Sequence, residues 1–143
     1  MIQWNDSWNT GIELIDKEHR RLIELLARME RELTDPSSFL RTELLALSSE
    51  VTNHITNHFA HEEHLAFQLL GPEDVQNHVR AHREWRQLLL RELGALNMNI
   101  TETRTDEELI KTAKHFVFSI SEFFSKHFES HDCKFCAHSC LNS

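Results

Sequence analysis

Eleven histidines stand among the 143 residues of this chain, and several recur at a spacing that lets two side chains serve one centre. Histidine is costly to bury unless its ring nitrogens are hydrogen-bonded or bound to a metal, so this excess is a chemical signal. Residues at i and i+4 project from one face of a helix. His78 and His82 have that spacing, as do His54 and His58, His58 and Glu62, and His127 and His131, with Asp132 one residue further on; His19 stands alone in an apolar repeat. Imidazoles mixed with one or two carboxylates suit first-row transition metals such as iron, zinc or manganese. An inward set of this size exceeds what one ion normally takes, so a two-ion site is plausible. A carboxylate can bridge two ions, because it has two oxygens where imidazole has one free lone pair. A lone histidine on an apolar stripe is more often a hydrogen-bonded core residue, and His54, His61, His64, His115 and His138 cannot all be ligands.

Two rival metal motifs are absent. The ferritin-like di-iron pattern needs Glu three residues before a ligand His, and no histidine here has it. The His-Glu-x-x-His motif of zinc proteases fails by one position, because His61-Glu62 is followed by His64 and then Leu65.

The elements that must position these residues are helical. Only three Gly and two Pro leave little room for many tight turns, which favours long helices over short strands. Ile12, Ile15, His19, Leu22, Ile23, Leu26 and Met29 form one stripe along a helix over about 12–34. The run TDPSSF supplies Asp35 as a cap and Pro36 as a first-turn residue for a second helix over about 38–70, which Gly71 and Pro72 break. A third, over about 73–97, carries Val75, His78, His82, Trp85, Leu89 and Leu93 before the polar stretch NMNITETRTD. Thr105 with Glu108 reads as a capping box that opens a fourth helix over about 105–135. The expected fold is all-α: an antiparallel up-down four-helix bundle, one domain over 1–143, with an N-terminal extended segment whose Trp4 and Trp8 pack along it.

Composition narrows the partners. Fifteen basic against 23 acidic residues give a formal charge of -8, so neither nucleic acid nor an anionic membrane is an expected partner. No leader-like start and no apolar run of spanning length are present, which suggests a cytoplasmic protein. The three cysteines, Cys133, Cys136 and Cys140, sit together near the C-terminus and suit a reducing compartment better than a disulfide framework. Spaced i, i+3 and i+7 with His138 close by, they can form a redox-active pair or a second metal site, or be reduced thiols on a frayed end.

Four ordered pieces resemble the hemerythrin family, in particular its bacterial single-domain members, over nearly the whole chain. Trp4 followed by GIELIDKEH resembles the family's opening and ends in His19; HFAHEE matches its His-Phe-x-x-Glu-Glu through His58 and Glu62; HVRAH supplies His78 and His82; HFESHD supplies His127 and Asp132. The resemblance implies a non-haem di-iron centre, oxo- or hydroxo-bridged, with His78, His82 and His127 on one iron, His19 and His58 on the other, and Glu62 and Asp132 bridging both. It further implies reversible dioxygen binding at a vacant position on the second iron, for transport, storage or sensing, without catalytic turnover; sensing would have to act through a separate protein partner. It places an apolar dioxygen pocket at Phe123, Phe124 and Phe128, where Phe124 is bulkier than the family's usual aliphatic residue and would slow oxidation of the centre.

Helix geometry by itself favours His131, because residue i+5 lies roughly 140° from residue i. Asp132 as ligand therefore requires a local distortion or a different reach near the helix end. The competing functional reading is a di-iron enzyme that reduces dioxygen, peroxide or nitric oxide, or an iron donor for repair. Five imidazoles with only two carboxylates weigh toward binding, since oxygen-activating di-iron sites are richer in carboxylates. A structural zinc scaffold fits a carboxylate-bridged pair less well.

Overall fold

In the computed structural model, which describes residues 2–102, 105–132 and 135 and only the backbone of 131 and 132, four helices follow one another: α1 (Glu13–Thr34), α2 (Leu40–Leu69), α3 (Pro72–Thr101) and α4 (Asp106–His127). A 3-10 turn at Asp6–Trp8 precedes α1, and a π-helical turn at Phe128–Asp132 extends α4. Each helix packs on the next and α4 packs back on α1, closing a four-helix bundle. The short links at 35–39, 70–71 and 102–105 leave room only for reversal between packed neighbours, so the bundle runs up and down. Among the described residues no strand occurs, and no helix is long and apolar enough to cross a membrane.

The α1 stripe of Ile15, His19, Leu22, Ile23, Leu26, Met29 and Leu33 is buried throughout, as its spacing requires. The entry to α1 is fixed by the Asp16 carboxylate, which accepts from the Thr10 N–H and hydroxyl at 2.8 Å each and from the Gly11 N–H at 3.2 Å. Gly11 has φ of 83°, a left-handed backbone that a side chain would strain.

Three boundaries differ from the sequence reading. Asp35 closes α1, its N–H donating to the Arg31 carbonyl, and does not cap α2. Ser37 is drawn back to the Glu32 carboxylate at 2.7 and 3.0 Å, which keeps 36–38 out of α2 and leaves Phe39 at the cap with no side-chain bond. Tertiary contacts hold α3 helical four residues beyond 97: Arg41 donates to the Asn99 and Ile100 carbonyls, and the Asn99 amide donates to the Thr112 hydroxyl at 3.1 Å. The fourth α-helix ends at His127 and continues as the π-turn. The Thr105 hydroxyl accepts from the Glu108 N–H at 3.2 Å, as the capping-box reading required of it.

Trp8 is buried in the core with its ring 5.1 Å from Phe128, while Trp4 meets Trp8 edge-on and lies 4.5 Å beneath the Arg20 guanidinium. The N-terminal segment therefore packs along the bundle as expected. Leu26 is fully buried among these core side chains. Leu26→Ala is expected to destabilise the fold by about 2–5 kcal/mol, read as a lower urea midpoint at unchanged slope.

Candidate metal centre

Six polar side chains meet inside this apolar bundle. His19 comes from α1, His58 and Glu62 from successive turns of α2, His78 and His82 from successive turns of α3, and His127 from the last position of α4; all are buried to within 2% of full burial. Every imidazole presents Nε2 to the Glu62 carboxylate, which lies between two groups of rings. Oε2 is 2.5 Å from His58 and 2.9 Å from His19; Oε1 is 2.8 Å from His78, 3.1 Å from His82 and 3.4 Å from His127. The ligand atoms of Glu62, His78, His82 and His127 fall within 4.8 Å of one another, and so do those of His19, His58 and Glu62.

The outer ring nitrogens decide what these inner atoms carry. His82 Nδ1 lies 3.1 Å from Glu63 Oε1 and His58 Nδ1 lies 3.3 Å from Glu18 Oε1. A neutral imidazole that donates from Nδ1 presents a lone pair at Nε2. For His82 that lone pair faces a carboxylate oxygen and, at 3.2 Å, the Nε2 of His127. Lone pairs converging in a low dielectric repel unless a cation lies among them, so the donor set fits metal ions. Protons are the alternative. Burial pushes the Glu62 carboxyl up, but the charge on His58 and hydrogen bonds from His127, His19 and His58 outweigh it and hold the group well below the usual carboxylate range. Metal uptake then releases protons from the rings.

The other histidines stand apart from this cluster. His54 is half-buried with Nε2 at 2.7 Å from the Glu18 carbonyl oxygen, and burial lowers its pKa. His61 lies at the surface against the Glu18 carboxylate, His64 bonds Gln68, and His115 lies 3.3 Å from Glu92. Cys133, Cys136, Cys140 and His138 lie outside the described residues, as do the side chains of His131 and Asp132. The backbone over 128–132 is π-helical, and an i→i+5 turn returns residue i+5 toward residue i as an α-turn returns i+4. The backbone there departs from α-helical geometry.

Of the three phenylalanines expected to line a pocket, two reach the His19 side. The Phe128 ring lies 4.1 Å from His19, and the Phe124 ring lies 6.0 Å from His19 and 6.3 Å from His58. Phe123 faces another way, stacked 5.2 Å from Trp85, because adjacent helical residues point about 100° apart. Phe59 stacks on His82 at 3.9 Å, and Trp85 sits 5.5 Å from His127. The roles of Glu18 and Glu63 were not apparent in the sequence. Burial raises the Glu18 carboxyl, but His58 and His61 bring it below its usual value. The His82 hydrogen bond, opposed by burial and aided by Arg86, lowers Glu63. Their only signal was adjacency to ligand positions, which by itself does not say what they reach.

Comparison with known proteins agrees with this geometry. The hemerythrin HHE cation-binding domain matches residues 10–132. The bacteriohemerythrin of Stenotrophomonas maltophilia (strain R551-3) is 37% identical over 82 residues, covering 57% of this chain and 51% of that protein. The bacteriohemerythrin of Pseudomonas aeruginosa (strain LESB58) is 29% identical over 94 residues, covering 65% of this chain and 56% of the relative. The chain thus spans about half the length of the curated relatives it matches. No solved structure matches it.

Glu18, Glu62 and Glu63 all have carboxyls depressed in the fold, so each contributes stability that is present above the unfolded value of about 4.3 and is lost as pH falls through the folded value. In the presence of a chelator, the unfolding free energy is expected to decline as pH falls below about 4.3. Glu62→Gln should flatten that decline in urea titrations between about pH 7 and 3. A variant curve parallel to the wild type would assign the acid sensitivity elsewhere.

Proposed function

Since the chain belongs to the hemerythrin family, we propose that it is a non-haem di-iron protein that binds dioxygen reversibly, as a carrier, store or sensor. The observation that carries this reading is the division of five imidazoles between the two oxygens of Glu62, three on Oε1 and two on Oε2. In this reading His78, His82 and His127 would hold one iron and His19 and His58 the other, with the Glu62 and Asp132 carboxylates serving both. When bound, the iron pair supplies the electrons and the open coordination position that reversible dioxygen binding needs.

The chain's own residues then have distinct tasks. Among the described residues the His19/His58 side offers one fewer buried ligand than the other side, which supports an open position there. Phe124 and Phe128 cover that side and exclude water, whose protons would promote irreversible oxidation. The side chains come from four different helices, whose packing fixes their separation. The predominance of imidazole over carboxylate weighs toward binding over oxygen activation.

Metal analysis combined with optical spectra of the anaerobically reduced protein, before and after air and again under argon, tests the reading. Two irons per chain and a visible band that appears with air and disappears under argon are expected. A stable ferric product would move the function to an oxidase, peroxidase or nitric-oxide role, and absence of iron uptake would overturn the di-iron assignment. Phe124→Leu is expected to speed autoxidation several-fold by admitting water and dioxygen past a smaller side chain. An unchanged rate would show that the bulk of Phe124 has no part in retention.

A further inference from the structure

We propose that Glu18 and Glu63 are positioning residues of the metal centre, each orienting a ligand histidine of a different ion; this rests on the two-ion reading above. The two carboxylates are placed alike. Glu18 adjoins His19 on α1 and reaches across to α2, where its Oε1 lies 3.3 Å from His58 Nδ1. Glu63 adjoins Glu62 on α2 and reaches across to α3, where its Oε1 lies 3.1 Å from His82 Nδ1. In each case the neighbour of an inward ligand on one helix grips an inward ligand on the next. An Nδ1–H held by a carboxylate selects the tautomer with a lone pair at Nε2, fixes the ring's rotation and makes it a stronger donor.

His58 stands on the Oε2 side of Glu62 and His82 on the Oε1 side, so each ion receives one such carboxylate. Their surroundings differ. Glu63 Oε1 also accepts from Arg86 at 3.1 Å, and a guanidinium is a permanent cation that draws on the same charge. The Glu18 carboxylate is shared with His61, an imidazole about half exposed (49%), and the Glu18 backbone carbonyl meets His54. Among the described residues the carboxylate behind His58 thus has no fixed cation beside it, and it acts on the ion with the open position.

Competition between the full-length protein and a chromophoric chelator for Co2+ tests the assignment, because it reads two dissociation constants per chain independently of oxygen chemistry. Glu18→Leu is expected to weaken one Co2+ by about 10–100-fold and leave the other close to the wild-type value. Glu63→Leu should weaken the other ion, and the double variant both. Glu18→Gln and Glu63→Gln retain an acceptor oxygen without the charge, so they should show the same selectivity with a smaller loss. Circular dichroism of the metal-free variants checks that the helices persist; should a leucine variant lose them, the glutamine variant carries the comparison. If the wild type binds two Co2+ and both substitutions weaken the same ion, or neither, the proposal fails while the two-ion reading stands. A wild-type chain that binds fewer than two overturns both.

Discussion

One buried carboxylate surrounded by five imidazoles is the constraint around which this bundle is organised. Glu62 has no exposure, and each neighbouring ring enters from a helix that must also bury its own apolar stripe. Such a cluster is costly in a low dielectric, where an unsatisfied buried polar group costs about 1–3 kcal/mol and a charge more. The surrounding apolar core must therefore supply the stability that the centre does not. Metal or protons complete the centre, and either satisfies all four helices at once.

The walls of the centre are rings. Phe59 lies against His82, Trp85 against His127 and Phe124, and Phe128 between His19 and Trp8. Flat side chains bury large areas while leaving few rotamers, so they hold the imidazoles in register and exclude water. The N-terminal turn takes part in this arrangement: Trp8 backs Phe128, which in turn covers His19. Packing remote from the centre thus backs the aromatic cover of the side on which the proposed open position lies.

Asymmetry runs through the centre at three levels. The rings divide three and two between the Glu62 oxygens, Phe128 lies on the smaller group and Phe59 and Trp85 on the larger, and the outer carboxylates have different partners. A symmetric pair would have two equivalent positions. Here each difference falls between the same two groups, which in the proposed reading distinguishes a firmly held ion from one open to a small ligand.

The helices, the inward positions of His19, His58, Glu62, His78, His82 and His127, and the membership of the family were legible in the residues alone, because i, i+4 spacing and apolar periodicity are local properties of a helix. The ends of the elements were not. Asp35 closes α1 and α3 runs on to Thr101 because Glu32, Arg41 and Thr112 make contacts that no local pattern records. The difference between Phe123 and its neighbour Phe124 likewise needed the packed bundle, as did the reach of Glu18 and Glu63 to rings on the next helix. The sequence by itself determined which side chains turn inward, since a helix repeats its own face. Only the tertiary structure decided which Glu62 oxygen each imidazole meets and which carboxylate stands behind it, since those distances depend on how four separate helices are set against one another.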